Sequence, residues 1–248
     1  MDTPTIIYLS IAACLTSIIT ASAGIGGGLV LVALMTPVLP TAAVIPVHGV
    51  VQLASNGSRM TMSLPHVQWK ITLQLWLGAI VGAAAAAWFL IQLDEQMFGI
   101  VLGSLILVLI WLPMPTKRLL ALPRPFIGLG AISAYVSHFA GGTGPILAPF
   151  LAQACKDRFA LISTEAASQM LTHTLKIFVF GFFVAGFSFT PYLWPLLWMV
   201  IGAFIGTWIG TKILGKISER VFRWIFSGVT TALAVVLIVR ALLGSTPG

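Results

Sequence analysis

The chain has 248 residues, of which 58% are hydrophobic and only 8% charged, with a mean hydropathy of +1.04. A soluble domain of this size needs far more surface charge, so the composition is that of a membrane protein and leaves no long polar segment for a soluble domain. The formal net charge of +7 comes from scattered Lys and Arg; with no basic stripe interleaved with aromatics, it points to membrane-surface anchoring and away from nucleic acid.

The apolar runs are continuous rather than alternating, which favours helices over a β-barrel. At ~20 apolar residues per crossing, the chain has room for about eight passes joined by short turns. The first run, 5–23, lacks the basic start of a signal peptide and continues past a glycine cluster to 38, so it reads as a retained helix. Further runs follow at 41–64, 71–91, 96–112, 126–139 continuing to 154, 160–187, 192–214 and 220–243, punctuated by Pro37, Pro40, Pro65, Pro191 and the segment 113–125. Trp69, Trp111, Trp194 and Trp224 stand near segment ends, where amphipathic rings favour the membrane interface. Asp94 and Ser218 each precede a glutamate at a helix start and are candidate N-caps. Cys14 and Cys155 lie in apolar surroundings without metal or redox spacing and read as packing residues.

Sliding the sequence on itself by 117 residues aligns Gly24 with Gly141, Gly27 with Gly144, Gln52 with Gln169, Asn56 with His173 and Arg59 with Lys176. Further along, an offset of 124 aligns Gly78, Gly82, Glu95 and Phe98 with Gly202, Gly206, Glu219 and Phe222. The chain therefore reads as a single transmembrane domain over 1–248, all-α and polytopic, with internal repeats at about 5–112 and 126–243. Each repeat holds four helices, the first of them broken at a glycine cluster. Interrupted helices at matching places in two halves point to a transporter's binding site. If eight passes simply alternate sides, Arg59, Lys70, Lys117, Arg118, Arg124 and Arg240 fall on one side. Lys156, Arg158, Lys212, Lys216, Arg220 and Arg223 fall on the other, so the positive-inside rule gives a tie.

The breaks read AGIGGGLVLVAL over 23–34 and FAGGTGPILAPF over 139–150. A phosphate loop needs a preceding strand and a following helix in water, and both segments sit inside apolar runs instead. The four-residue spacing of Gly78 with Gly82, and of Gly202, Gly206 and Gly210, fits close helix packing through small residues. The clusters differ: consecutive glycines weaken a helix, and Pro145 suits the first turn of a new one. Gly26, Gly27 and Gly28, with Gly142, Thr143 and Gly144, are thus expected to open a second half-helix. Its free N–H groups attract anions and must line a cavity. The following helix in each half carries a polar stripe at helical spacing. The first is His48, Gln52, Ser55 or Asn56, and Arg59; the second is Glu165, Gln169, Thr172 or His173, and Lys176. Such stripes in membrane spans face a bundle interior or a water-filled path.

Two glycine-broken first helices, each followed by a polar-striped second helix, resemble the sulfite exporter TauE/SafE family, over nearly the whole chain. The first half departs in detail, reading IPVHGVVQ where related proteins more often carry a Gly-Thr-Ser-like run. The resemblance implies secondary transport of small sulfur-containing anions, such as sulfite, sulfonates or related organosulfur anions, in the cell (inner) membrane. It implies a small anionic substrate and the lipid bilayer as partners, with no cofactor. The substrate-binding candidates are Gly26, Gly27, Gly28, His48, Gln52, Asn56, Arg59, Gly142, Thr143, Gly144, Gln169, Thr172 and Lys176. Lys176 is deep in its helix, whereas Arg59 is close enough to a helix end to snorkel to the surface. Glu165, the one acidic residue well inside a predicted span, and His173, a residue type that can titrate near neutral pH, are candidates to carry a coupling proton. A channel shares broken helices and polar stripes, but the duplication favours alternating access. An enzyme is the weaker alternative. No HExxH or clustered carboxylates accompany His48, His66, His138 and His173, and Ser22 and Ser137 lack a nucleophile pattern. With no ATP-binding segment, an ion gradient or the substrate's own gradient drives the transport that the resemblance implies.

Overall fold

The computed structural model describes residues 1–24, 26–89, 95–112, 116–184, 187–214, 216 and 218–243. Among the described residues the regular structure is helical. The first half contributes α1 (Thr3–Ala23), α2 (Gly27–Met35), α3 (Thr41–Met62), α4 (Trp69–Phe89) and α5 (Glu95–Trp111). A one-turn α6 (Thr116–Leu120) follows, where punctuation alone is expected; the run between its flanking prolines is just long enough for a turn. The second half contributes α7 (Pro125–Ala140), α8 (Gly144–Ala154), α9 (Arg158–Phe182), α10 (Leu193–Ile213) and α11 (Glu219–Leu242).

Helix starts follow capping chemistry where the side chain reaches the backbone. The carboxylate of Asp157 accepts from the Ala160 amide at 2.8 Å, and Pro145 sits in the first turn of α8 as its fixed φ predicts. Ser218 holds the cap position of α11, but its side chain makes no cap hydrogen bond, so its expected role is not realised. Asp94, the other expected cap, lies outside the described residues.

Three helical stretches, Thr3–Ser22, Trp69–Trp88 and Thr190–Ile213, are long and apolar enough to cross a membrane. Their outer faces expose Ile7, Ile11 and Leu15 on α1, Leu73, Leu77 and Ile80 on α4, and Leu197, Ile201 and Phe204 on α10. Apolar side chains exposed at three- and four-residue steps are what lipid contact requires. Trp69, Trp111, Trp194 and Trp224 are exposed near helix ends.

The expected small-residue packing is present. Methyl groups added at Gly202, Gly206 and Gly210 on α10 would run into the backbone of Ser10, Cys14 and Ile18 on α1. The matched order of these contacts makes α1 and α10 parallel. In the same way Gly78 and Gly82 on α4 seat the backbones of Ile127 and Ala131, so α4 and α7 are parallel. By contrast α3 and α9 run antiparallel: Arg59 faces Glu165 while Gly49 faces Lys176. So do α5 and α11, where Gly99 meets Ala241 and Trp111 bonds Thr231.

At each glycine cluster the chain reverses rather than continuing. Gly24 and Gly26 adopt φ of 90° and 97°, and Gly141 adopts 77°, left-handed values that glycine alone takes without a Cβ penalty. As a result Gly27 lies against Thr16, and the Tyr8 hydroxyl donates to the Leu34 carbonyl at 3.1 Å, so α2 runs back along α1. In the second half the Ser133 and Thr143 hydroxyls pair at 2.7 Å, and Leu147, Phe150 and Leu151 of α8 pack with Phe126 and Leu129 of α7.

These reversals re-sort the connections between the two ends of the bundle, which corrects the even split of basic residues expected from simple alternation. The Gln68 amide donates to Thr164, His66 lies against Phe159, and Arg158 donates to the Ser22 carbonyl. The α3–α4 turn, the end of α1 and the start of α9 therefore share one end. Gln153 bonds Thr116, which brings α6 to the same end. The C-terminal end of α10 joins them through its parallel packing on α1. That end carries Lys70, Lys117, Arg118, Arg124, Lys156, Arg158, Lys212, Lys216 and Arg220. The opposite end carries Asp2, Glu95 and Arg240.

Candidate functional site

The two reversals touch. The space a methyl would take at Gly142 lies 3.1 Å from the Leu29 nitrogen and 3.2 Å from Gly28, so neither cluster tolerates side chains at the contact. Beside it the middles of α3 and α9 cross, and their polar stripes are buried in the crossing: His48, Gln52, Asn56, Arg59, Glu165, Gln169, Thr172, His173 and Lys176 are each at most 3% exposed. Arg59 therefore does not snorkel to the surface, at 1% exposure.

A small cavity of about 20 Å³ lies between the reversals, room for roughly one water molecule. Of the expected substrate-binding residues, Gly26, Gly28, Gln52, Asn56, Gly142, Thr143, Gly144 and Gln169 line it, as do both proton-carrying candidates, Glu165 and His173. Gly27, His48, Arg59, Thr172 and Lys176 stand behind the wall. Gly27 makes the close approach to α1. The His48 Nε2–H faces the Gly28 carbonyl at 3.0 Å and fixes the start of α2. The Thr172 hydroxyl donates back to the Ser168 carbonyl at 3.3 Å.

The two repeat-matched cations are held differently. Arg59 donates to the Thr20 carbonyl at 2.7 Å, to Asn56 Oδ1 at 2.5 Å and to Glu165 Oε2 at 3.2 Å, which ties α1, α3 and α9 together. Lys176 donates to the Gly141 carbonyl at 2.6 Å, and no carboxylate lies within ion-pair distance of it among the described residues. At the offset of 117, His48 on α3 aligns with Glu165 on α9. Three polar atoms in the cavity's lining residues have no hydrogen-bond partner among the described residues: Gln52 Nε2, Gln169 Oε1 and His173 Nδ1. A buried polar atom left unpaired costs about 1–3 kcal/mol, so the site is built to be completed by something polar.

Sequence reasoning missed the hydroxyls behind each reversal. Thr16 and Thr20 precede the first as Ser133 and Ser137 precede the second, at the same offset of 117. Ser137 donates to the Gly141 carbonyl, Thr20 lines the cavity, and Thr143 accepts from Gln169 at 3.2 Å. The matching small hydroxyls were the available signal.

Among models of known protein families, the chain matches the one described as Sulfite exporter TauE/SafE, over residues 9–237. The chain belongs to the sulfite exporter TauE/SafE family. No curated protein and no solved structure matches it. Membership makes this TauE/SafE chain a membrane protein and implies transport of sulfur anions. Within the matched span α3 packs on α9 and α10 and α9 on α3 and α4, so the buried polar stripes lie among these four helices.

Proposed function

We propose that this chain is a secondary transporter of small sulfur-containing anions, sulfite, a sulfonate or a related organosulfur anion, in the cell membrane, working by alternating access. The observation that carries the reading is the cavity between the two helix reversals. It combines the N-terminal ends of α2 and α8, the atoms Gln52 Nε2, Gln169 Oε1 and His173 Nδ1 that have no partner among the described residues, and the buried cations Arg59 and Lys176 behind it. Helix N-termini and charge-assisted donors are the physical means of holding an oxyanion away from water. A cavity of water size fits an occluded state that must widen to load.

We read residues 5–112 and 126–243 as inverted repeats making about eight crossings. The antiparallel pairing of α3 with α9, and of α5 with α11, supports this, because equivalent helices in the two halves then point opposite ways. The end rich in Lys and Arg faces the cytoplasm by the positive-inside rule, and the end with Asp2 and Arg240 faces outward. Of the two proton-carrying candidates, Glu165 is engaged by Arg59, whereas His173 Nδ1 is unpartnered among the described residues. His173 is thus the better carrier of a proton moving with, or against, the anion.

Purified protein in liposomes should take up labelled sulfite saturably and show counterflow, and an imposed proton gradient should accelerate uptake. His173→Gln should abolish the acceleration while sulfite exchange continues. Linear, non-saturating flux without counterflow would make the protein a channel.

A further inference from the structure

The charges around the cavity set what kind of anion fits it. Arg59 and Glu165 form a pair whose charges sum to zero, at 3.2 Å. Among the described residues Lys176 is the one further cation in the crossing besides His48 on α3, His138 on α7 and His173 on α9, and no carboxylate lies within ion-pair distance of it. Arg59 and Glu165 cancel, so Lys176 is left as a cation that no acidic side chain offsets.

The wall is also mixed in hydrogen-bonding sense. Among the described residues Gln52 Nε2 is a donor without a partner, but Gln169 Oε1 is an acceptor without one and Glu165 lines the same cavity. A dianion presents only acceptors, so it would face the Glu165 carboxylate and leave Gln169 Oε1 unsatisfied. Its desolvation also costs far more than that of a monoanion, because the penalty grows steeply with charge. A monoanion matches that one cation. One that carries an acidic proton can also donate to Gln169 Oε1 while its other oxygens accept from Gln52 and the helix-start amides. The cavity as it stands holds about one water, so an anion enters only as the walls part, and a long substituent on sulfur would need them to part further.

We propose that the site selects sulfur oxyanions of single negative charge, hydrogen sulfite above all, and rejects dianions such as sulfate; this rests on the transport reading above. Glu165 is then a specificity-determining residue, which sets the charge limit by facing the cavity while paired to Arg59.

The test measures binding of labelled sulfite to the purified protein, competed by methanesulfonate, a monoanion at every working pH, or by sulfate, a dianion throughout. Flux in liposomes is followed in parallel. Methanesulfonate should displace sulfite while sulfate at the same concentration does not. Glu165→Gln, which removes the opposing negative charge, should improve competition by sulfate by about tenfold or more. Equal competition by sulfate and methanesulfonate in the unaltered protein overturns the charge selection, whether or not the variant folds. Selective binding without any flux keeps the selection and overturns the transport reading instead. Absence of sulfite binding overturns both.

Discussion

Lys176 is a fully buried ammonium held by one backbone carbonyl, with no carboxylate beside it among the described residues. It stands behind the cavity wall and acts on an anion as a nearby buried charge rather than as a hydrogen-bond donor, so Lys176→Met should weaken anion binding by about tenfold or more. Methionine fills similar volume without a charge to bury, so the variant should insert and keep its thermal stability in detergent. Unchanged affinity would make Lys176 a structural clamp on the Gly141 carbonyl. At this scale much was legible in the sequence: the stripes on α3 and α9 are a run of polar residues at helical spacing that nothing but burial or a water path accommodates. What was not legible is how the partners divide. The pairing of Arg59 with Glu165, and the pairing of Lys176 with a carbonyl, depend on which residues face each other across an antiparallel crossing, and no local pattern encodes that.

Each pair α1–α2 and α7–α8 is a hairpin closed by glycines and by hydroxyl contacts. If 125–154 were one continuous helix, Ser133 and Thr143 would stand about 15 Å apart along its axis. Their hydroxyls are 2.7 Å apart. Ser133→Cys with Thr143→Cys, in a background where Cys14 and Cys155 are serine, should therefore form a disulfide on mild oxidation. Failure to cross-link in the folded protein would argue for an interrupted but straight helix. The position of each break, and Pro145 in the first turn after the second, follow from residue chemistry. The direction taken afterwards does not. A glycine permits a positive φ without requiring it, and the choice is made by what the returning helix packs against, such as Thr16 for Gly27 and Phe126 for Leu147 and Phe150.

At the scale of the whole molecule, the hairpins decide which loops share a side. Alternation through eight plain crossings divides the basic residues evenly, but two added reversals gather Lys70, Lys156, Lys216 and their neighbours at one end. With the positive end in the cytoplasm, a cysteine placed at Lys156 should react with a membrane-impermeant maleimide only after cells are permeabilised. One placed at Asp2 should react in intact cells, again with Cys14 and Cys155 replaced. The reverse pattern would place the basic end outside. The repeat we propose rests on self-alignment, since glycines, glutamines and cations recur at one offset. The antiparallel course of α3 and α9 was not readable there, because parallel and antiparallel copies leave the same trace in a sequence.

The glycine faces of α10 and α4 carry a consequence for biogenesis. The backbone of α1 is seated on Gly202, Gly206 and Gly210 of α10, and that of α7 on Gly78 and Gly82 of α4, so both of these glycine-faced helix pairs join the first half of the chain to the second. As the protein is made, α1 enters the membrane well over a hundred residues before α10 exists, and its face around Ser10, Cys14 and Ile18 waits there without its final neighbours. Neither half covers these faces alone. The arrival of α10 therefore decides whether that face of α1 is covered, and a chain cut short before Leu193 leaves it open.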